Sequence, residues 1–181
     1  MDEATVLAAR AGDRAARGAL LRYLQDPLFR FCVSLLGDSE RAQDAVQESA
    51  MRLLRDLPKF QGASSIKTWA MGIAVNVVRE MRRSVRRDER RIHVEERLVS
   101  PDGEAAELEQ KGLLKRLLEE LPERQREALV LRYFEELSVE ETAGAMNCAE
   151  GTVKATVFQA LRALREKFGG AEHPLASEQK R

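Results

Sequence analysis

The sequence predicts an all-α protein: two small helical domains joined by a flexible linker, the second containing a helix-turn-helix. Three observations predict it. Apolar residues recur at i, i+3 and i+4 over most of the chain, the period of a helix with one buried face. Residues 94–110 break that pattern with six acids, one arginine (Arg97) and the turn sequence Ser100-Pro101-Asp102-Gly103. Beyond them, Ser138 to Phe168 reads as a capped short helix, a three-residue turn and a long helix. The expected boundaries are 1–93, 94–110 for the acidic linker, 111–170, and a polar tail over 171–181.

Composition narrows the class. The 181 residues carry 30 Lys plus Arg and 30 Asp plus Glu, so the formal net charge is zero. A protein that simply coats DNA would be strongly basic. Any DNA binding here needs segregated positive charge, with a larger partner supplying much of the affinity. No apolar run reaches the roughly 18 residues of a membrane span, and no signal peptide opens the chain, so the expected location is the cytoplasm. Cys32 and Cys148 lie far apart without neighbouring Cys or His, and His93 and His173 are isolated. No phosphate loop, HExxH or nucleophile elbow is present. The expectation is therefore a non-enzyme without metal, cofactor or small-molecule substrate.

In chain order, residues 4–24 predict a helix broken near Gly12-Asp13, where Asp13 can cap a new start. Pro27 to Leu36 predicts a separate short helix, with proline at its first position and Gly37 just past its end. Ser39 or Glu40 to Leu57 predicts a third, stopped by Pro58. Its apolar stripe is Ala42, Val46, Ser49, Leu53 and Leu57. Its other face carries Arg41, Asp44, Gln47, Glu48, Arg52 and Arg55, which reads either as solvated surface or as a docking face for a protein partner. The loop Phe60-Gln61-Gly62-Ala63-Ser64-Ser65 is ordinary linker taken alone, yet its small hydroxyl residues could hold an extruded base beside a cationic helix.

That cationic helix is the stretch around which the chain is organised. Trp69, Ile73, Val77 and Met81 give its first half an apolar stripe. From Arg79 to Arg91 seven arginines, among them Arg79, Arg82, Arg83 and Arg86, face three acids. A charge run by itself is most often a solvated face. A helix that starts in a core and ends as a cationic rod also suits a polyanion.

In the second half, Leu113, Leu114, Leu117, Leu118 and Leu121 line one helix, and Pro122 opens another to about Phe134. Ser138-Val139-Glu140-Glu141 forms a capping box, and Asn147 suits the left-handed turn before the final helix. That helix is cationic, with four basic residues and one acid from Gly151 to Phe168. Thr152, Lys154, Ala155, Phe158 and Gln159 occupy the base-reading positions of its first turns, and Arg162 follows. Val153, Val157 and Leu161 belong to its core stripe.

The two halves together resemble bacterial sigma-70 family factors of group IV, the extracytoplasmic-function (ECF) type, over roughly residues 5–168. The resemblance rests on Ala42-Gln43-Asp44-Ala45-Val46-Gln47-Glu48, Thr68-Trp69, Ile73-Ala74-Val75-Asn76 and Arg82-Arg83 in the first half. In the second it rests on Leu121 to Arg126, Leu131 to Phe134, Glu141-Thr142-Ala143 and Gly151-Thr152-Val153-Lys154. A lone helix-turn-helix is weak evidence; both sets in this order, with region 3 absent between them, are specific.

The resemblance implies a promoter-specificity factor that works with core RNA polymerase, opens promoter DNA and is held by an anti-sigma factor. It places Asp44, Gln47, Glu48, Arg52 and Arg55 at the polymerase. Ser64, Ser65, Lys67, Asn76, Arg79, Arg82, Arg83 and Arg86 fall at the −10 element, with Trp69 as packing. Thr152, Lys154, Ala155, Phe158, Gln159 and Arg162 fall at the −35 element. The chain departs from the family's frequent residues at Gln43, Glu80, Asn147, Ala155-Thr156 and Gln159-Ala160-Leu161. Two other readings compete: a stand-alone dimeric helix-turn-helix regulator, and a degenerate sigma-like protein that binds polymerase without initiating.

Overall fold

The computed structural model describes residues 1–91 and 116–168. The expected linker 94–110 and tail 171–181 lie outside the described residues. The described residues include α1 Glu3–Ala11, α2 Arg14–Leu36, α3 Ser39–Asp56, α4 Ile66–Arg91, α5 Glu123–Leu129, α6 Val139–Met146 and α7 Glu150–Phe168, and residues 116–119 are also helical.

Short polar side chains set the starts, as the sequence predicts. Asp2, Asp13 and Asp38 accept the amides of Thr5, Ala16 and Arg41 at 2.8, 2.7 and 2.8 Å, satisfying donors that the first helical turns leave open. Gly37 closes α2 at φ 72°, a left-handed conformation that costs glycine nothing. The break at Gly12-Asp13 is where the sequence places it.

Pro27 is where the sequence reading fails. It sits inside an uninterrupted α2 rather than opening a new helix. Leu20, Leu24, Leu28, Phe31 and Leu35 run through that point as one buried stripe. Burial of five large side chains on a single face outweighs the one backbone hydrogen bond that proline removes. A smaller correction concerns Pro58, which lies within a 3₁₀ turn, Leu57–Lys59, after α3 has ended at Asp56.

α2, α3 and α4 pack around Phe31, Leu35, Leu53, Met71, Ala74 and Val78, with α1 covering one side through Val6 and Ala9. The second module gathers Leu118, Leu121, Leu129, Leu131, Met146 and Ala160 into the same cluster, and Val153 is buried. The expected helix to Phe134 changes winding: α5 ends at Leu129, and Val130–Phe134 continues as a π turn. A wider turn of this kind re-aims the residue that follows it, here Glu135.

The helix-turn-helix forms as predicted. Ser138 accepts the Glu141 amide at 3.0 Å while the Glu141 carboxylate accepts the Ser138 amide at 2.9 Å, and Asn147 takes φ 51°, ψ 58° between α6 and α7. The Ser138 backbone amide, assisted by the Thr68 hydroxyl, holds the Glu141 carboxyl below the ordinary glutamate value of 4.5 despite its partial desolvation. A depressed carboxyl stabilises the fold fully above its unfolded value, and the contribution disappears as pH falls through the folded one. Ser138→Ala should therefore cost about 1 kcal/mol at neutral pH. Glu141→Gln should flatten the acid limb of the stability profile, measured as urea midpoints at successive pH values between 7 and 3.

The two modules are not separate bodies in this structure. α4 lies along α6, and α2 touches the π turn and α5, so the buried apolar residues form one continuous cluster. The helices approach closely at Gly72, where an added Cβ would sit 3.6 Å from both Cα and the carbonyl oxygen of Ala145.

Candidate nucleic-acid and polymerase interfaces

On α3 the outward face is narrower than the sequence suggests. Asp44, Gln47 and Arg55 are exposed, and between them stands Met51, 54% exposed, which the sequence reading left out. The helical stripe 44, 47, 51, 55 could have found it, since a large apolar residue on a polar face breaks the pattern. Glu48 and Arg52 face elsewhere. Arg52 bridges Glu48 at 2.6 Å and Glu80 on α4 at 2.7 and 3.0 Å. The hydrogen bonds that Arg52 donates, to Glu80 first and then to Glu48, raise its pKa, and Arg52 in turn lowers that of Glu80. These two residues clamp α3 to α4, while Arg55 pairs locally with Asp56 at 2.7 Å.

The loop before α4 leaves Ala63, Ser64 and Ser65 exposed. Ser65 Oγ accepts the Thr68 amide at 3.0 Å and so starts α4. Trp69 is half-buried against Phe60, ring centroids 5.1 Å apart, which agrees with a packing role. Its other side meets a cleft lined by Ser64, Thr68, Asn76, Glu141 and Asn147, between α4 and α6.

The cations of this face are divided. Arg83 is exposed, beside the neutral and equally exposed Asn76. Arg86 lies on α4, with its side chain outside the described residues. The others turn toward the second module. Arg79 makes a two-point contact with Glu127, at 3.0 and 2.6 Å, and that hydrogen bonding raises its pKa against the cost of burial. Lys67 donates to the Glu135 carbonyl at 2.7 Å and lies 3.2 Å from its carboxylate, which Arg30 also reaches at 3.3 Å. Arg82 approaches Glu123 at 3.5 Å and, with Arg126, donates to the Leu35 carbonyl near the end of α2. Burial, and then the like charge of Arg82, lower the Arg126 pKa.

On α7 every residue predicted for base reading faces outward. Thr152, Lys154, Ala155, Phe158, Gln159 and Arg162 are exposed, Phe158 at 58%. Val153 is buried, and Val157 and Leu161 pack partly against the core. The Phe158 ring is thus a large apolar side chain left in solvent on the outward face of α7.

A helix-turn-helix with an outward polar face, carried beside a second helical module with an arginine-rich helix, defines a DNA-binding protein of two modules. The comparisons with known proteins make the class specific. Residues 20–88 match the model of sigma-70 region 2, and residues 111–164 match that of sigma-70, region 4. The RNA polymerase sigma-H factor of Pseudomonas aeruginosa is 30% identical, over 98% of this chain and 96% of its own length. The ECF RNA polymerase sigma factor SigD of Mycobacterium tuberculosis is 32% identical, over 93% and 84%. Among solved structures, the sigma factor RpoE of Bartonella quintana in complex with the anti-sigma factor NepR superposes with a TM-score of 0.67 at 28% identity, covering 82% of this chain and 93% of RpoE. CnrH, in complex with the cytosolic domain of CnrY, shares the fold: TM-score 0.71 at 19% identity, covering 92% and 96%.

The chain belongs to the sigma-70 family, as an ECF sigma factor. It is a promoter-specificity factor for RNA polymerase, from a family of transcription initiation factors that are not enzymes. No helix among the described residues is long and apolar enough to cross a membrane.

Proposed function

We propose that residues 1–93 and 111–170 act as separate reading heads, joined by the linker 94–110, in a holoenzyme working in the cytoplasm. The first head docks on core polymerase through Asp44, Gln47 and Met51 at the exposed centre of α3, flanked by Arg55; Glu48 and Arg52 position that face through α4. It reads the −10 element with Ser64, Ser65, Asn76, Arg79, Arg82, Arg83, Arg86 and Lys67. The second head reads the −35 element through Thr152, Lys154, Ala155, Phe158, Gln159 and Arg162. Polymerase holds both heads at a fixed separation, so effective concentration supplies affinity that a chain of zero net charge lacks. The chain performs no covalent chemistry.

The observation that carries this reading is the joint exposure of all six −35 residues on one face of α7. An anti-sigma factor is the expected inhibitor, because RpoE of Bartonella quintana was solved with the anti-sigma factor NepR bound.

The decisive experiment is run-off transcription with purified core polymerase and a pool of promoter-like fragments. Defined starts sharing two spaced upstream elements are the expected result. Polymerase binding without transcripts would favour a sigma-like regulator that does not initiate, and tight duplex binding without polymerase would favour a dimeric regulator. Within that assay, Lys154→Ala should weaken promoter binding nearly uniformly and reduce the slope of log affinity against log salt by about 1 if the lysine contacts a phosphate. Gln159→Ala should instead change the preferred −35 bases.

A further inference from the structure

An acid stands where α7 begins, on the helix that carries the −35 residues. Glu150 opens α7 after the turn at Asn147, and its side chain is 54% exposed. Its carboxylate lies 3.9 Å from the ammonium of Lys154, one turn further along and also exposed. An exposed pair at that distance adds little to the fold, so either group can exchange its partner for another. From Glu150 the helix carries no second acid until Glu166, which pairs with Arg162 at 3.4 Å in the last turns. Gly151 follows Glu150 in the first turn, where glycine weakens a helix. A Cβ at Gly151 would meet nothing within 4 Å, so no contact among the described residues calls for glycine there. The start of α7 is therefore low and open, with a negative charge at its edge.

A carboxylate in a DNA groove is selective by its chemistry. It accepts hydrogen bonds and donates none, and it repels the phosphates that a neighbouring lysine attracts. In the major groove guanine and thymine present acceptors, and adenine sets its N6 donor beside the N7 acceptor. Cytosine presents the N4 amino donor alone. The first residues of the second helix in a helix-turn-helix face base edges, which puts Glu150 ahead of Lys154 along one face. We propose that Glu150 is a specificity-determining residue for the −35 element, its carboxylate accepting from the N4 amino group of a cytosine. One helical turn rises about 5.4 Å, so Lys154 meets its guanine or phosphate within about two base pairs of that cytosine. The proposal rests on α7 as the −35 reader and names the base that its first turn selects. Any other base leaves the carboxylate desolvated without a donor, so this acid gives discrimination and not affinity.

The test uses holoenzyme assembled from the full-length chain and purified core polymerase. Promoter fragments randomised across the upstream element are offered, and the bound fraction is sequenced. The wild type should select cytosine at one −35 position, about tenfold over any other base. Glu150→Gln, whose amide pairs with adenine N6 and N7, should move that single preference from cytosine to adenine. Glu150→Ala should flatten it and, by removing a charge that repels phosphates, strengthen binding to fragments without the cytosine. Preferences at the other positions should match the wild type in both variants. Thermal melts of the free variants run alongside, because a glutamate in a first helical turn also interacts favourably with the helix dipole.

A wild-type selection without a cytosine preference overturns the proposal. So does an unchanged base preference in both variants; a shift confined to melting would then make Glu150 a helix-end charge alone. Gln159→Ala separates this from failure of the underlying assignment. If it alters the −35 preference while Glu150→Gln does not, α7 reads DNA and Glu150 does not. If neither of these nor Lys154→Ala changes any upstream preference, α7 is not the −35 reader and both readings fall.

Discussion

Replacing Met51 by aspartate should lower affinity for core RNA polymerase by about 100-fold while leaving the fold intact. Met51 is more than half exposed at the centre of the outward stripe Asp44, Gln47, Met51 and Arg55. Its removal therefore opens no cavity, and surface changes of this kind stay within about 0.5 kcal/mol of wild-type stability. At an interface the same side chain has a different value. A flexible apolar residue surrounded by polar ones is the pattern of a binding hot spot, whose loss costs about 2–4 kcal/mol, and each 1.4 kcal/mol is tenfold in affinity. An aspartate at its centre would also be desolvated without a partner. Fluorescence titration of labelled protein with core polymerase measures the change. An undiminished affinity, with helicity and melting unchanged, would move the docking surface off this face of α3. Arg52→Ala is a useful contrast: it unties Glu48 and Glu80 and should loosen α3 from α4, so its effect on binding should come with an effect on stability.

Phe31→Ala should be the most damaging single change to stability among the positions discussed, at about 3–5 kcal/mol. Phe31 is fully buried in α2, one turn beyond Pro27, among Leu28, Leu35 and the facing residues of α3 and α4. Truncation leaves a cavity that a helix stiffened by packing on both sides collapses poorly. With about 2–4 °C lost per kcal/mol for a chain of this size, the melting temperature should fall by about 10 °C. Phe158→Ala makes the opposite case, since 58% exposure predicts almost no shift in melting and a loss confined to promoter binding. Calorimetric melts of the two variants side by side test both statements. Equal shifts would mean that the Phe158 ring is packed in solution and not held for contact.

Much of the local structure was legible because it depends on neighbours in sequence. Asp13, Gly37, Ser138 with Glu141, and Asn147 each act through groups no more than a few residues away, and each forms the cap or turn its type predicts. The α7 face was legible for the same reason: one helical period separates Val153, Val157 and Leu161 from Lys154, Phe158 and Gln159. Pro27 was misread because its outcome depends on what α2 packs against. The π turn at Val130–Phe134 carries no local signal of its own in this chain, and Glu135 looked like any surface acid.

The sequence by itself determined the all-α class, the two-module order, the helix-turn-helix and the membership that its motifs announce, since these follow from periodicity, capping chemistry and residue spacing. Tertiary structure decided which polar residues face outward and which face each other. It drew Glu48 and Arg52 into a clamp, left Met51 in solvent, and paired Arg79 and Lys67 with two buried glutamates from the far end of the chain. The physical reason is range. Backbone hydrogen bonding and helical period act over a few residues, whereas burial and ion pairing are settled by whichever groups the fold brings within a few ångströms, 48 and 68 residues apart in these two cases.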